Sequence, residues 1–515
     1  MAHADRASLA PALQIPRLAA LAVDRRIGVP IALAVAFAAG VLTSFSSPRG
    51  PTTAMNAVFV MAIALVVGVG SGVMARTRWI LVPLLVSHVV GVEIVRLDVV
   101  APSLAVRIDN TYGVVALVLT RGVHALLVVP PMSLGVLGGI VIARRLGWLP
   151  TKSRGRPAIG TAIAGVAVVS LAVLVAMPGS TPPVVGTNGR PVPGSIAELA
   201  TVRLGGQDHA VMIRAANPDK PVLLYLAGGP GQSDLALTRA QVSGWEQDFV
   251  YVGLDQRGTG KSYAAIDPVS SMTVDRAVTD VIELTDYLRQ RFGEQKVYLM
   301  GESWGTILGV LTIQRRPDLY YAWIPSGQIV NVVETDRRVY RDLVAYGRRV
   351  NDQALLDELR AIGEPPYADV PWANSHLLAW YEYLCPAYSP SDGYIARGQV
   401  AALDPFGVLG SEYNVIEKTN VVRGLIDTFA VIYPQLYGLD FRESATSLQV
   451  PVYFLDGTSE LTGRREIALE WFDKLRAPTK QLISLENAAH SVAFEQSDQV
   501  QRLLNDTIVP ATYRK

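Results

Sequence analysis

The sequence has a single cysteine, Cys385, in 515 residues, so a disulfide framework within the chain is excluded and the redox compartment is left open. An excess of charge of either sign is also missing: 46 Lys and Arg stand against 45 Asp and Glu, a formal net charge of +1. That balance argues against nucleic acid or a polyanion as a partner. No Cys/His cluster has metal-ligand spacing, so neither a metal nor another cofactor is expected. Charged residues as a class are sparse, at 18% of the chain, and the mean hydropathy of +0.28 is high for a soluble protein. The apolar surplus is unevenly placed. Nearly all of it precedes Met177, and the rest reads as an ordinary globular sequence. The length exceeds that of one ordinary domain.

Crossing a bilayer takes about 20 mostly apolar residues. Residues 1–178 contain four clear runs of that kind, 27–45, 54–74, 80–95 and 158–177. Between the last two, residues 112–143 are less clean, with Arg121, His124 and the pair Pro130-Pro131. We read 124–143 as one kinked span and 112–120 as an interfacial or re-entrant piece, about five spans in all. Cytoplasmic segments should carry the Lys and Arg. With the N-terminus inside, the inner segments hold eleven: Arg6, Arg17, Arg25, Arg26, Arg76, Arg78, Arg144, Arg145, Lys152, Arg154 and Arg156. The outer ones hold at most four, Arg49, Arg96, Arg107 and Arg121. The bias predicts a multi-pass protein of the cell membrane, with a cytoplasmic N-terminus and everything after Met177 extracytoplasmic. A cleaved signal peptide does not fit that many spans. Arg121 is expected to snorkel to the interface with His124 following it. Gly68 and Gly72 form a small-xxx-small pair suited to helix packing.

The Pro/Gly density of 179–195 suits a linker and no regular element. Beyond it, 199–204 and 209–214 read as strands of a hairpin around Gly205-Gly206. Short apolar runs at 221–226, 249–254, 297–300 and 322–325 alternate with helical spacing, as in Val274, Val278, Val281, Ile282 and Leu288. This alternation predicts an α/β fold, a mostly parallel sheet with helices on both faces. It stops over about 332–447, which is helical in period, and returns with a strand at 451–455, a helix at 466–475 and a strand at 481–485. An inserted helical cap explains the interruption. Such a cap would cover the carboxyl ends of the strands, where open α/β sheets bind ligands.

Gly301-Glu302-Ser303-Trp304-Gly305 follows the strand at 297–300 and precedes a helical run, the context of a nucleophile elbow. A serine hydroxyl needs a positioned base near neutral pH. Of the six histidines, His3, His88 and His124 belong to the N-terminal region, His209 precedes the sheet's core and His376 lies in the cap. His490 alone sits in a loop after a late strand and before a final helix expected over 491–505. It also completes the order Ser, acid, His. The acid should follow the strand at 451–455, and spacing leaves Asp456 and Glu460 as alternatives. The oxyanion hole needs two backbone N–H groups. Trp304 supplies one, and the loop Ala227-Gly228-Gly229-Pro230-Gly231 suits the other, through Gly229. Gly258-Thr259-Gly260-Lys261-Ser262 imitates the tail of a phosphate-binding loop, but that motif needs a glycine where Asp255 stands. Asp255 and Arg257 instead suit ordering of the loop beneath the site.

Leu226–Gly231, Leu254–Ser262 and Gly301–Gly305 together resemble the proline iminopeptidase branch of the α/β-hydrolases. So do Gly327–Asn331, Ile362–Tyr367 and Glu486–Ser491. The resemblance covers about 198–510 in the right order and leaves the membrane region outside, so the hydrolase domain is expected over 196–515. It implies that Glu460, in the place of the family's aspartate in Phe454–Glu460, is the acid, with Asp456 in reserve. Ala227 departs from the histidine that usually begins the glycine loop. The family's cap glutamates bind the substrate's free amino terminus, and Glu334 is the position here that such a role would fall on. The resemblance thus implies a membrane-anchored serine hydrolase with a Ser303–Glu460–His490 triad, acting as an aminopeptidase on short peptides or small amides. An esterase or lipase and a non-catalytic ligand-binding sensor are the alternatives. The partners expected are a small-molecule or short-peptide substrate and a lipid bilayer, without nucleic acid. Oligomeric state is not legible.

Overall fold

The computed structural model describes residues 24–108, 111–149, 157–380, 384 and 410–514. Cys385, His3, Arg6, Arg17, Lys152, Arg154 and Arg156 lie outside them. The chain divides into two compact units.

The first unit comprises residues up to 51, 55–100 and 122–176. It contains helices α1 (Arg25–Ser46), α2 (Ala54–Ala75) and α3 (Leu81–Arg96). After the short helix α4 (Thr111–Leu117) come α5 (Val123–Arg145) and α6 (Pro157–Ala176). Four helical stretches among the described residues are long and apolar enough to cross a membrane, Arg25–Ser46, Ala54–Ala75, Arg78–Arg96 and Gly113–Arg145; Gly160–Ala176 is a shorter apolar helix. Their outward side chains, such as Leu42, Phe45, Val66, Val82 and Val166, are apolar. The separate piece expected over 112–120 is instead continuous with the following span. A π-turn at Val118–Gly122 joins α4 to α5, so the Arg121-Gly122 break in hydropathy widens the helix without ending it. Gly68 and Gly72 do serve helix packing. A Cβ on either would lie 2.3 Å from the carbonyl oxygen of Met132 or Val136 on α5, where Gly135 and Gly139 return the contact. His124 stacks on His88, ring centroids 5.9 Å apart.

The second unit comprises 177–515 together with two short stretches from earlier in the chain, 52–54 and 101–121. Its sheet has eight strands in the order β1-β2-β4-β3-β5-β6-β7-β8. The strands are β1 (Ile196–Leu204), β2 (Gln207–Ala215), β3 (Val222–Leu226) and β4 (Val250–Leu254), then β5 (Val297–Glu302), β6 (Tyr320–Ser326), β7 (Val452–Gly457) and β8 (Lys480–Leu485). The first two form the expected hairpin, Leu204 opposite Gln207, and β2 runs antiparallel to β4. From β4 onward every pairing is parallel. Alternate residues of β3 enter opposite cores: Val222, Leu224 and Leu226 on one face, Leu223 and Tyr225 on the other. Helices α7 (Val274–Phe292) and α8 (Trp304–Arg315) pack in the first core, and Val492–Leu504 in the second. Thr273 caps α7 and Gly293, at φ +67°, ends it.

Between β6 and β7 the described residues form helices and no strand. The longer ones are α9 (Val332–Val350), α10 (Gln353–Ile362), α11 (Val370–Trp380) and α12 (Val415–Ile432), with α12 opened by an Asn414–Glu417 capping box. Helix α13 (Thr462–Lys474) joins β7 to β8. The single final helix expected over 491–505 is broken after Glu495. That side chain turns back to accept from Ala489 N (2.5 Å) and Ser491 N (3.3 Å), holding the loop before it.

Candidate active site

Ser303 stands between β5 and α8 with φ 53° and ψ −119°, a backbone conformation that L-residues rarely adopt. Local packing imposes it. A Cβ on Gly301 would lie 2.4 Å from the Gly305 carbonyl oxygen, and one on Gly305 would lie 2.1 Å from that of Leu226. Only glycines let β5, the turn and β3 approach this closely. Thr306 fixes the exit, its N–H and hydroxyl both donating to the Ser303 carbonyl (2.8 and 2.6 Å).

His490 follows β8 through a turn at Asn487, φ +55°. Its Nδ1 lies 2.5 Å from Glu460 Oε2. When Nδ1 carries the proton, Nε2 is left as an acceptor. Glu460 is buried, and its other oxygen accepts from Leu461 N (2.7 Å) and Arg464 Nη1 (3.1 Å). Burial alone would raise its pKa, but Arg464 and His490 outweigh burial and hold the carboxyl at about 2. Asp456 is engaged elsewhere. Arg465 grips it with two nitrogens, at 2.8 and 2.7 Å, and Ser484 donates to it at 2.8 Å. The carboxylate on His490 is therefore that of Glu460.

The loops of Ser303 and His490 are tied through their sequence neighbours, since Ser491 Oγ donates to Glu302 Oε1 at 2.9 Å. Burial keeps the Glu302 carboxyl titrating well above the usual range. Gly327 lies beneath the imidazole, where a Cβ would come within 2.7 Å of Nδ1. The glycine loop lies on the other side. A Cβ on Gly228 would be 3.3 Å from the Cβ of Ser303, and Gly229 follows at φ +108°. Gln256 joins the two: it accepts from the Trp304 indole at 2.8 Å and donates to the Ala227 carbonyl at 3.0 Å. Asp255 and Arg257 order the neighbouring loop, Asp255 accepting from Lys261 N and Tyr413 OH, Arg257 donating twice to Asp280. Gln256, Gly327, Arg464 and Ser491 stand in or beside recognisable motifs, but nothing in their spacing assigns these contacts.

Glu334, at the start of α9, is apart from this group. It is bound by Arg338 and Arg442, which hold its carboxyl below the usual range against the opposing effect of burial. It lines a cavity of about 770 Å³ with Asn331, Arg337, Glu364, Asp440 and Arg442, and neither Ser303 nor His490 reaches that cavity. Among the described residues no group of three or more His, Cys, Asp and Glu is arranged to hold a metal ion.

Residues 245–352 match the family described as serine aminopeptidase, S33. The chain is 31% identical over 304 residues to the probable aminopeptidase YbaC of Bacillus subtilis, spanning 59% of this chain and 93% of that protein. It is 25% identical over 222 residues to a proline iminopeptidase of Clostridioides difficile, 40% of this chain and 71% of that one. Among solved structures, a proline iminopeptidase-related protein of Thermus thermophilus aligns with a TM-score of 0.44 and 21% identity over 62% of this chain and 98% of its own. The match at 31% identity runs over nearly the whole of its relative. By that match and by its sheet, this chain is a hydrolase and belongs to the proline iminopeptidase-like α/β-hydrolases.

Proposed function

We propose that the chain is a membrane-anchored serine hydrolase, an aminopeptidase acting on short peptides or small amides. The observation that carries the reading is the contact of buried Glu460 with half-buried His490 at 2.5 Å, on a loop bonded to that of the strained Ser303. Ser303 Oγ attacks the scissile carbonyl carbon while His490 Nε2 takes its proton. Ionised Glu460 holds the imidazole's tautomer and stabilises the imidazolium. The oxyanion accepts from the backbone N–H groups of Trp304 and Gly229. His490 then returns the proton to the departing amine, leaving an acyl-enzyme. Water, deprotonated by the same imidazole, releases the acid and restores Ser303. Glu334 is the weaker part of the reading, because two guanidinium groups already neutralise it. Glu334→Gln should raise KM for substrates with a free amino terminus only if a substrate ammonium displaces one of them.

Anchoring in the membrane is supported by four helices of spanning length and composition. The proposed side is supported twice. The Lys and Arg bias favours a cytoplasmic N-terminus, and residues 52–54 and 101–121, two outer segments in that topology, belong to the hydrolase's own compact unit. Substrate class is tested by assaying the full-length protein on prolyl and other aminoacyl arylamides beside short-chain aryl esters. Turnover of the arylamides is expected; turnover of esters alone rejects the peptidase reading.

A further inference from the structure

Helix α12 has one face on the catalytic loops and another on a segment drawn from the membrane region of the sequence. On the first face, backbone packs directly on backbone. A Cβ on Gly231 would lie 2.6 Å from the Gly424 carbonyl oxygen, and one on Gly424 would lie 2.8 Å from that of Gly258. Thr428 Oγ1 donates to the Gly258 carbonyl at 2.9 Å. The glycine loop that offers Gly229 to the oxyanion thus rests on this helix.

On the adjoining face, Asn420, Arg423 and Asp427 are all buried. Asp427 accepts from Ser103 N and Ser103 Oγ, both at 2.8 Å, and from Tyr263 OH at 2.6 Å. Ser103 is itself fully buried in the turn Pro102–Leu104. The Arg423 guanidinium lies over the Tyr263 ring, 4.7 Å from its centroid, and Asn420 donates to the Thr52 carbonyl at 2.7 Å. Ala116 packs with Trp372 and Ile426, and Arg121 donates back to the Leu104 carbonyl. A simple tether needs no such interior. Hydrogen bonds to a carboxylate are among the stronger ones, and a buried carboxylate left without them is costly.

We propose that the stretch Ala101–Arg121 is a working part of the hydrolase, and that Asp427 is a positioning residue. The clasp of Ser103 and Tyr263 on Asp427 holds α12 at the depth that sets the glycine loop over Ser303. A stretch that lies between two apolar spans in the sequence thereby contributes to catalysis. The proposal rests on the serine-hydrolase reading above.

The test uses the full-length protein in nanodiscs, wild type beside Asp427→Asn, Ser103→Ala and the double variant. A fluorophosphonate titration counts active sites, and kcat per titrated site and KM are then measured on p-nitrophenyl acetate. Loss of one oxyanion donor costs about 10²–10³ in kcat, so an indirect displacement should cost about tenfold per site in Asp427→Asn, with KM little changed. Ser103→Ala should lose less, and the double variant no more than Asp427→Asn, because one interaction is shared. If kcat per site stays at the wild-type value and only the number of titratable sites falls, the clasp is merely structural and the proposal is wrong. Ser103→Ala, the milder change, decides the matter should Asp427→Asn not fold. A wild type that takes no label removes the serine-hydrolase reading itself, whereas a labelled wild type with unchanged variants removes the clasp alone.

Discussion

Replacing Glu460 by Gln tests the assignment of the acid. Glu460 is buried, faces His490 Nδ1 at 2.5 Å, and is held at about 2 against a usual value of 4.5. That interval, roughly 3 kcal/mol of preference for the ionised carboxylate, is what remains after burial, which opposes ionisation, is outweighed by Arg464, His490 and the Leu461 N–H. An amide is similar in shape but carries no charge to stabilise the imidazolium and can bind the wrong tautomer. The corresponding change in a Ser-His-Asp enzyme lowers kcat by about 10⁴-fold, so a loss of about 10³–10⁴-fold per active site is expected here. Asp456→Asn is the control. It breaks a bidentate pair with Arg465 and a bond from Ser484, so it should cost stability, about 2 kcal/mol, and leave kcat per titrated site near wild type. The assay is kcat per fluorophosphonate-titrated site, with thermal unfolding run in parallel. Near-normal turnover in Glu460→Gln, or the large kcat loss falling on Asp456→Asn, would refute the reasoning.

Ser303→Gly and Ser303→Ala should both abolish hydrolysis, yet the glycine variant should be the more stable by about 1 kcal/mol and unfold at the higher temperature, since φ 53° and ψ −119° strain alanine and not glycine; equal melting would deny the strain. Stability should also depend on pH. Burial raises Asp234 to about 8 and Asp255 and Asp336 each to about 7. Such groups bind more protons folded than unfolded between 3.8 and those values, so their contribution to stability is full below about 3.8 and declines as pH rises to about 8. Glu460 acts oppositely, its contribution being complete above 4.5 and lost as pH falls through about 2. Unfolding temperatures between pH 5 and 9 that rise with pH would contradict the assignment. In the apolar unit, Gly72→Val should separate α2 from α5, because its side chain would begin 2.3 Å from the Val136 carbonyl oxygen; cysteine cross-linking between the two helices reads this, and unchanged cross-linking would mean that the contact is not formed.

The sheet was legible because most of the parallel strands are short, largely apolar runs separated by helices; β8, with Lys480, Gln481 and Ser484, is the exception. The elbow was legible because its Gly-x-Ser-x-Gly pattern is local to one turn, although the contact that demands Gly305 comes from Leu226, 79 residues before it. Which carboxylate meets His490 was not legible from spacing. Asp456 and Glu460 leave the same strand, and what separates them is Arg465, which occupies the first, and His490, which occupies the second. Glu334 carries the same lesson. Arg338, four residues on, is visible as a helical ion pair, but Arg442 comes from beyond the cap. The π-turn at Val118–Gly122 escaped because a charge beside a glycine reads as an end to a span, while the backbone there only widens. Least legible of all was the place of Ala101–Arg121 in the hydrolase unit. Ser103 and Asp427 are 324 residues apart, and no local pattern announces a serine that will sit on a buried carboxylate.

The central claim is that Ser303 is the activated nucleophile, and covalent labelling with a fluorophosphonate probe followed by peptide mapping tests it most directly. The label is expected on Ser303 in the full-length protein, absent from Ser303→Ala and retained in Ser233→Ala, which alters a buried serine just after the glycine loop. A wild type that stays unlabelled, or a label that persists in Ser303→Ala, would contradict the account.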